Sequence, residues 1–129
     1  MKLEYRDGLL FSSVTIHHRE HSINIPNVVV DTGAAESIIA IDAVDSLFDR
    51  YEQGDQLRFM MGIGGREAAV RRIIHRFEFH SYEAYEIPID FGRIGEYSGI
   101  NGLIGLDILI PGKFIVDLSR FQVYMAPAE

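Results

Sequence analysis

The sequence predicts an all-β fold with one or two short helices, and three observations support this prediction. Most apolar residues lie in short segments rich in valine, isoleucine and phenylalanine, of the kind that forms β-strands. Glycine, proline and polar residues separate these segments and predict turns. Helical spacing of apolar residues occurs only at residues 41–48 and at the end of residues 102–109.

Length and composition indicate one compact domain that covers residues 1–129. The chain is 47% hydrophobic and 24% charged, which is enough apolar material for one buried core. Its 129 residues are too few for two domains with separate cores. A net charge of −7 without a concentrated basic stripe argues against a nucleic-acid partner. The absence of cysteine excludes disulfides and a thiol nucleophile. Because no signal peptide or membrane span is present, we expect a cytoplasmic protein without a membrane partner.

The first part of the chain predicts two strands that lead to an aspartate. Residues 8–16 carry apolar side chains on both strand faces, and the polar residues 17–21 predict a turn after them. Residues 23–30 are rich in β-branched residues and run directly into Asp31. We therefore expect Asp31 at the C-terminal end of the second strand.

The middle of the chain predicts a short helix and a hairpin. Apolar residues at helical spacing predict the helix at residues 41–48, with Asp42 as its N-cap. Residues 57–61 and 69–79 have the composition of strands, and the glycine-rich residues 61–66 lie between them. This arrangement predicts a hairpin with a glycine-rich tip.

The last part of the chain predicts further strands. Apolar and polar residues alternate at residues 77–79 and 85–89. Residues 102–109 begin as a buried strand and end as a helical turn, which a Pro-Gly pair terminates. Residues 114–117 and 121–125 predict a final pair of strands.

The tripeptide Asp31-Thr32-Gly33 is the main candidate for a catalytic site. Taken alone it is a weak signal, because a turn explains it better. In that turn Asp31 would hydrogen-bond the backbone two residues on, and Gly33 would adopt a positive φ. Blocks elsewhere in the chain favour the catalytic interpretation over the simple turn.

Three blocks in the same order resemble the retropepsin family, the retroviral and retroviral-like aspartic proteases. Residues 28–35 are similar to the family's hydrophobic strand followed by Asp-Thr-Gly-Ala. Residues 62–65, Gly-Ile-Gly-Gly, lie where the family has its glycine-rich flap. Residues 101–109 are similar to the hydrophobic block and short helix of the family's active-site loop crossing. The resemblance extends from about Leu9 to Met125.

The resemblance implies a closed, barrel-like acid protease fold with one active-site aspartate per subunit. The chemistry needs two carboxylates about 3 Å apart that share one proton, because like charges so close cannot both ionise. This chain has a single Asp-Thr-Gly, so Asp31 needs its symmetry mate in a homodimer. Such an aspartic endopeptidase hydrolyses a polypeptide substrate with a water activated between the carboxylates, and it requires no metal and no cofactor.

The same resemblance implies three groups of site residues. Asp31 is catalytic, Thr32 joins the two active-site loops across the dimer axis, and Gly33 permits close backbone approach. The substrate-binding group consists of Ala34, Ala35, Gly62, Ile63, Gly64 and Gly65. The group that supports the active site consists of Leu103, Ile104, Gly105 and Asp107. Leu106 stands where the family often has arginine, so the source of any supporting salt bridge stays open.

Other polar features have competing interpretations. Glu36 either raises the pKa of the catalytic pair or points into solvent, and solvent is favoured. The cluster His17-His18-Arg19-Glu20-His21 is favoured as a solvated turn over a metal site, since its outer histidines would be about 13 Å apart. A solvated face is favoured over a site for acidic substrates for Arg66, Arg71, Arg72, His75 and Arg76. Residues 62–65 lack the Lys-Ser/Thr ending of a phosphate loop.

Three functions therefore compete. The leading one is the homodimeric endopeptidase, which loses activity on Asp31→Asn. The alternative is a catalytically weak or inactive peptide-binding or dimerisation module on the same fold, whose binding survives that substitution. A purely structural β domain would be indifferent to it in both assays.

Overall fold

The computed structural model describes residues 1–62, 65–94 and 99–128, with the side chains of residues 60–62 and 65–67 outside that description. Two short helices occur in these ranges, a 3-10 helix at Ile41–Leu47 and an α-helix, α1, at Leu106–Leu109. The strands are β1 (Glu4–Arg6), β2 (Leu9–His18), β3 (His21–Val30), β4 (Ile38–Ala40), β5 (Gln56–Gly62), β6 (Gly65–Phe79), β7 (Tyr82–Gly92), β8 (Gly102–Ile104), β9 (Phe114–Asp117) and β10 (Gln122–Met125). The predicted all-β class is confirmed.

Six strands form a closed ring in the order β2, β3, β8, β4, β7 and β6. The ring closes because β2 pairs with β3 along most of its length and with β6 at its second half. The pairs β3–β8 and β4–β7 are parallel, and the other pairs in the ring are antiparallel. Outside the ring β1 pairs with β2, β5 pairs with β6, and β9 and β10 form a separate hairpin. The expected barrel-like closure is confirmed.

Most residues of the hydrophobic core belong to the strands of this ring. Phe77 and Phe79 alternate along β6 and are fully buried, and each such side chain contributes about 1.5–3 kcal/mol through burial. Val28, Val29 and Val30 are all buried, as expected for a strand that is covered on both faces. The valine run therefore holds the end of β3 firmly, directly before Asp31.

The predicted turn at residues 17–21 is too long. β2 continues through His18 and β3 begins at His21, so Arg19 and Glu20 alone make the turn. His18 is 3% exposed, and its Nε2 lies 2.9 Å from Glu52 Oε1. A carboxylate distant in sequence therefore allows this polar side chain to be buried.

The helix predicted at residues 41–48 is present as a 3-10 helix at Ile41–Leu47, but its N-cap differs from the predicted one. Ala40 occupies the N-cap position without a side-chain cap hydrogen bond, so the prediction of Asp42 as N-cap is wrong. Val44 interrupts the helix with a φ of −135°, and both Val44 and Leu47 are buried. Packing of these two residues onto the core sets the local geometry. Neither this helix nor any other in the described ranges is long and apolar enough to cross a membrane.

Candidate active site

Asp31 follows β3 at the point where β3 and β8 end side by side. The two strands are parallel, with Val30 opposite Ile104, and the Asp31 N–H donates to the Ile104 carbonyl at 2.9 Å. Asp31 is half-buried, whereas Thr32 and Gly33 are exposed. Rigid neighbouring strands thus place a carboxylate at the rim of the ring, with its following turn open to contact.

The simple turn interpretation predicted a bond from the Asp31 side chain to the backbone two residues on and a positive φ at Gly33, and only the first is present. The Gly33 N–H donates to Asp31 Oδ1 at 2.9 Å, and the Ala34 N–H donates to the Asp31 carbonyl at 3.2 Å. Gly33 has no positive φ, so that part of the prediction is wrong. A Cβ at Gly33 would lie 3.2 Å from Asp31 Oδ1. Glycine therefore serves here to let the backbone approach the carboxylate closely.

The loop after the turn packs against the start of α1. The Leu106 N–H donates to the Ala34 carbonyl at 2.8 Å, and the Asp107 N–H donates to the Ala35 carbonyl at 3.2 Å. A Cβ at Gly105 would lie 2.5 Å from the Ala34 carbonyl oxygen, closer than real atoms approach. The contact of these two segments therefore requires glycine at position 105.

A hydrogen-bonded group around Ser37 holds the same two segments together. The Ser37 hydroxyl donates to Asp107 Oδ1 at 2.6 Å and accepts from the Gly105 N–H at 2.9 Å. The Ser37 N–H donates to Asp107 Oδ2 at 2.9 Å. Ser37 is 1% exposed. Leu106 had left open which contact supports the loop in place of a salt bridge, and the hydrogen bonds between Ser37 and Asp107 supply that support. Ser37 itself carries no sequence signal that singles it out.

The remaining predicted residues lie around this crossing. Leu103 in β8 pairs with Val29 in β3 and is half-buried, and Ile104 is fully buried. Ala34 is half-buried and Ala35 is exposed. The structure thus brings the predicted catalytic and supporting residues together at one end of the ring.

The predicted glycine-tipped hairpin is formed by β5 and β6. Their antiparallel pairing runs from Gln56 opposite Arg71 to Gly62 opposite Gly65. Ile63 and Gly64, the other two predicted flap residues, lie outside the described residues.

Glu36 contacts this hairpin and does not point freely into solvent. Its side chain is 38% exposed, but its carboxylate accepts hydrogen bonds from Arg58 at 3.1 and 3.2 Å. Arg71 also donates to Glu36, at 3.1 Å. Arg71 in turn holds the buried Asp90 at 2.7 and 3.1 Å, and this hydrogen bonding raises the pKa of Arg71. Sequence reasoning missed the group, because its members are far apart along the chain.

The basic residues of β6 are not a uniformly solvated face. Arg72 is 2% exposed and donates to both carboxylate oxygens of Asp55, at 2.8 and 2.6 Å. These hydrogen bonds raise the pKa of Arg72 and lower that of Asp55. His75 is exposed, as predicted, and the side chain of Arg66 lies outside the description. The charge of Arg72 is therefore paired with Asp55 in the interior.

In the described residues no group of three or more His, Asp or Glu side chains is placed to hold a metal ion.

Comparison with known proteins supports the fold described above. The model of a family described as aspartyl protease matches residues 14–108. Among solved structures, a retropepsin-like aspartic protease from Rickettsia conorii has 19% sequence identity and a TM-score of 0.62, over 90% of this chain and 82% of that one. No curated protein matches the chain. The family match supports a hydrolase of the aspartic protease type, and the structural match supports the fold. The chain belongs to the aspartyl protease family and has a retropepsin-like fold.

Proposed function

We propose that the protein is an aspartic endopeptidase that acts as a homodimer and cleaves polypeptides between two Asp31 carboxylates. The observation that carries this proposal is the position of Asp31 at the joined ends of β3 and β8, followed by an exposed Thr32-Gly33 turn. A half-buried carboxylate on such a rigid support is well suited to catalysis. The proposal requires no metal and no cofactor.

The second carboxylate has to come from a second chain. The sequence contains one Asp-Thr-Gly, and two-carboxylate chemistry needs a partner about 3 Å away. A two-fold axis beside Asp31 would supply the second carboxylate. This is the simplest closed symmetry for identical chains, because each chain presents the same surface to the other. The exposed Thr32 hydroxyl, which has no hydrogen-bond partner among the residues that the structure describes, is available for a bond across that axis.

In the dimer the two carboxylates share one proton and divide the work. The ionised carboxylate takes a proton from a bound water, and the water oxygen attacks the carbonyl carbon of the peptide bond. The protonated carboxylate donates a hydrogen bond to the carbonyl oxygen and stabilises the developing negative charge. Proton transfer to the peptide nitrogen then accompanies cleavage of the C–N bond.

The β5–β6 hairpin is the proposed flap. Its paired backbone extends through Gly62 and Gly65, and glycines at that end let backbone groups come close to an extended peptide. Closure over the peptide would exclude water from the carboxylates. Ala34, Ala35 and the residues at 62–65 are the proposed contacts of the substrate.

Cleavage of a mixed peptide library by the wild type and by Asp31→Asn tests the proposal, at about pH 4 to 7 to cover titration of a coupled carboxylate pair. Light scattering must first find both proteins dimeric at the assay concentration. We expect cleavage by the wild type and none by Asp31→Asn. A strictly monomeric protein, or a dimer that binds peptides without cleaving them, would contradict the proposal, and the latter result would favour the peptide-binding module.

A further inference from the structure

An ion-paired group joins the active-site loop to both strands of the β5–β6 hairpin. Glu36 lies on the loop after Asp31, and its carboxylate bonds Arg58 of β5 and Arg71 of β6. Arg71 bonds Asp90 of β7 with both Nε and Nη2. We call Glu36, Arg58, Arg71 and Asp90 the charged latch. Through Glu36, which lies between β3 and β4, it connects the active-site loop to the paired strands β5, β6 and β7.

The strand register places the latch on one face of the hairpin. Arg58 is opposite Ala69, and Arg71 is two residues further along β6, so the two arginines are diagonal neighbours on the same face. Asp90 is directly opposite Arg71 in the β6–β7 pair and therefore shares that face. Since Glu36 contacts both arginines, this is the face that the hairpin turns towards the active-site loop.

Burial makes one end of the latch rigid. Asp90 is 1% exposed, and a buried carboxylate is costly unless it is paired, so Arg71 is strongly held in place. The side chains of Arg58 and Glu36 are more open, at 33% and 38%. The two arginines and two carboxylates together carry no net charge. The rigid end belongs to the barrel, and the more open end spans the gap between loop and hairpin.

We propose that the charged latch is a positioning device that sets the height of the hairpin above Asp31, with Glu36 and Arg58 as its adjustable pair. The proposal rests on the proposed function in that the hairpin is taken to close over a peptide. None of the four side chains is required to touch the reacting bond. Loss of the pair should therefore weaken substrate binding more than it slows the chemical step.

The first test needs no activity and uses amide hydrogen exchange in the full chain without substrate. Glu36→Gln and Arg58→Gln remove each side of the pair, and both spare the bond between Arg71 and the buried Asp90. We expect exchange at β5 amides to become about fivefold faster in each variant, with β2 and β3 unchanged. Glu83→Gln is the matched control, because Glu83 has a similarly open side chain, 43% exposed, whose ion pair with Arg76 lies outside the latch. Unchanged β5 exchange in both latch variants would overturn the proposal.

The second test uses peptide cleavage and a double-mutant cycle. We expect KM to rise about fivefold in Glu36→Gln and in Arg58→Gln, with little change in kcat. In the Glu36→Gln background, Arg58→Gln should add nothing, because Glu36 is the partner through which Arg58 acts. Fully additive effects, or a fall in kcat without a rise in KM, would contradict a positioning role. If Asp31→Asn instead left cleavage intact, the proposed function would fail while the exchange experiment still decided the latch.

Discussion

Replacement of Ser37 by alanine removes the hydroxyl that joins the loop after Asp31 to α1. The hydroxyl makes two hydrogen bonds: it donates to Asp107 Oδ1 at 2.6 Å and accepts from the Gly105 N–H at 2.9 Å. Ser37→Ala loses both bonds, and the site is too buried for water to replace them readily, with Ser37 at 1% exposure. The bond from the Ser37 N–H to Asp107 Oδ2 survives, because it belongs to the backbone.

The expected cost of Ser37→Ala is about 3 kcal/mol in the free energy of unfolding. A hydrogen bond to an ionised carboxylate contributes about 1.5–3 kcal/mol. A buried N–H left without an acceptor costs a further 1–3 kcal/mol or so. Partial relaxation of the loop reduces the sum of these two terms. For a chain of this length the change corresponds to a fall in Tm of about 10 °C.

Urea denaturation followed by circular dichroism measures this cost. We expect a lower midpoint with an unchanged m value, because the native fold and its buried surface are retained. Ser22→Ala is the control, since Ser22 is exposed on β3 and should change stability by less than about 0.5 kcal/mol. A loss below about 1 kcal/mol in Ser37→Ala would refute the argument that this hydroxyl holds the two segments together.

Two other changes test the close packing and the buried charges. Gly105→Ala places a Cβ 2.5 Å from the Ala34 carbonyl oxygen, so we expect a loss of more than about 2 kcal/mol in urea denaturation, and a stability near wild type would contradict this. The hydrogen bonds from Arg72 lower the pKa of Asp55 from its ordinary value of 3.8, so the stability that this pair contributes is complete above about pH 5 and is lost as the pH falls through the lower pKa of the folded state. Asp55→Asn should therefore flatten the decline of the urea midpoint between about pH 5 and pH 2, and an equally steep decline in both proteins would count against this pairing.

The strands were the most predictable part of the fold. The valine run before Asp31 and the alternating residues of β6 and β7 carry the strand signal within a few neighbouring residues. Predictions failed where a distant partner decided the outcome. His18 looked like part of a polar turn, but Glu52 allows its burial at the end of β2. The helix at Ile41–Leu47 took its geometry from the packing of Val44 and Leu47, and Asp42 does not cap it.

The candidate site divides in the same way. Asp31, Gly33 and Gly105 were singled out from short blocks of sequence that resemble a known family, and the structure shows close backbone approaches at both glycines. Ser37 and the charged latch were not identified. Serine, glutamate and arginine are ordinary surface residues in sequence, and their roles appear only when the barrel brings their partners within hydrogen-bonding distance.

The amino-acid sequence by itself determined the all-β class, the glycine-tipped hairpin, the family and the carboxylate at the end of a hydrophobic strand. These features depend on residues that are neighbours in the chain, or on residue types that few alternatives can replace. The tertiary structure alone decided how the barrel closes, which serine braces the active-site loop and which arginines hold Glu36. The physical reason is that burial and pairing of polar groups depend on contacts between segments, and local periodicity carries no information about which segments meet.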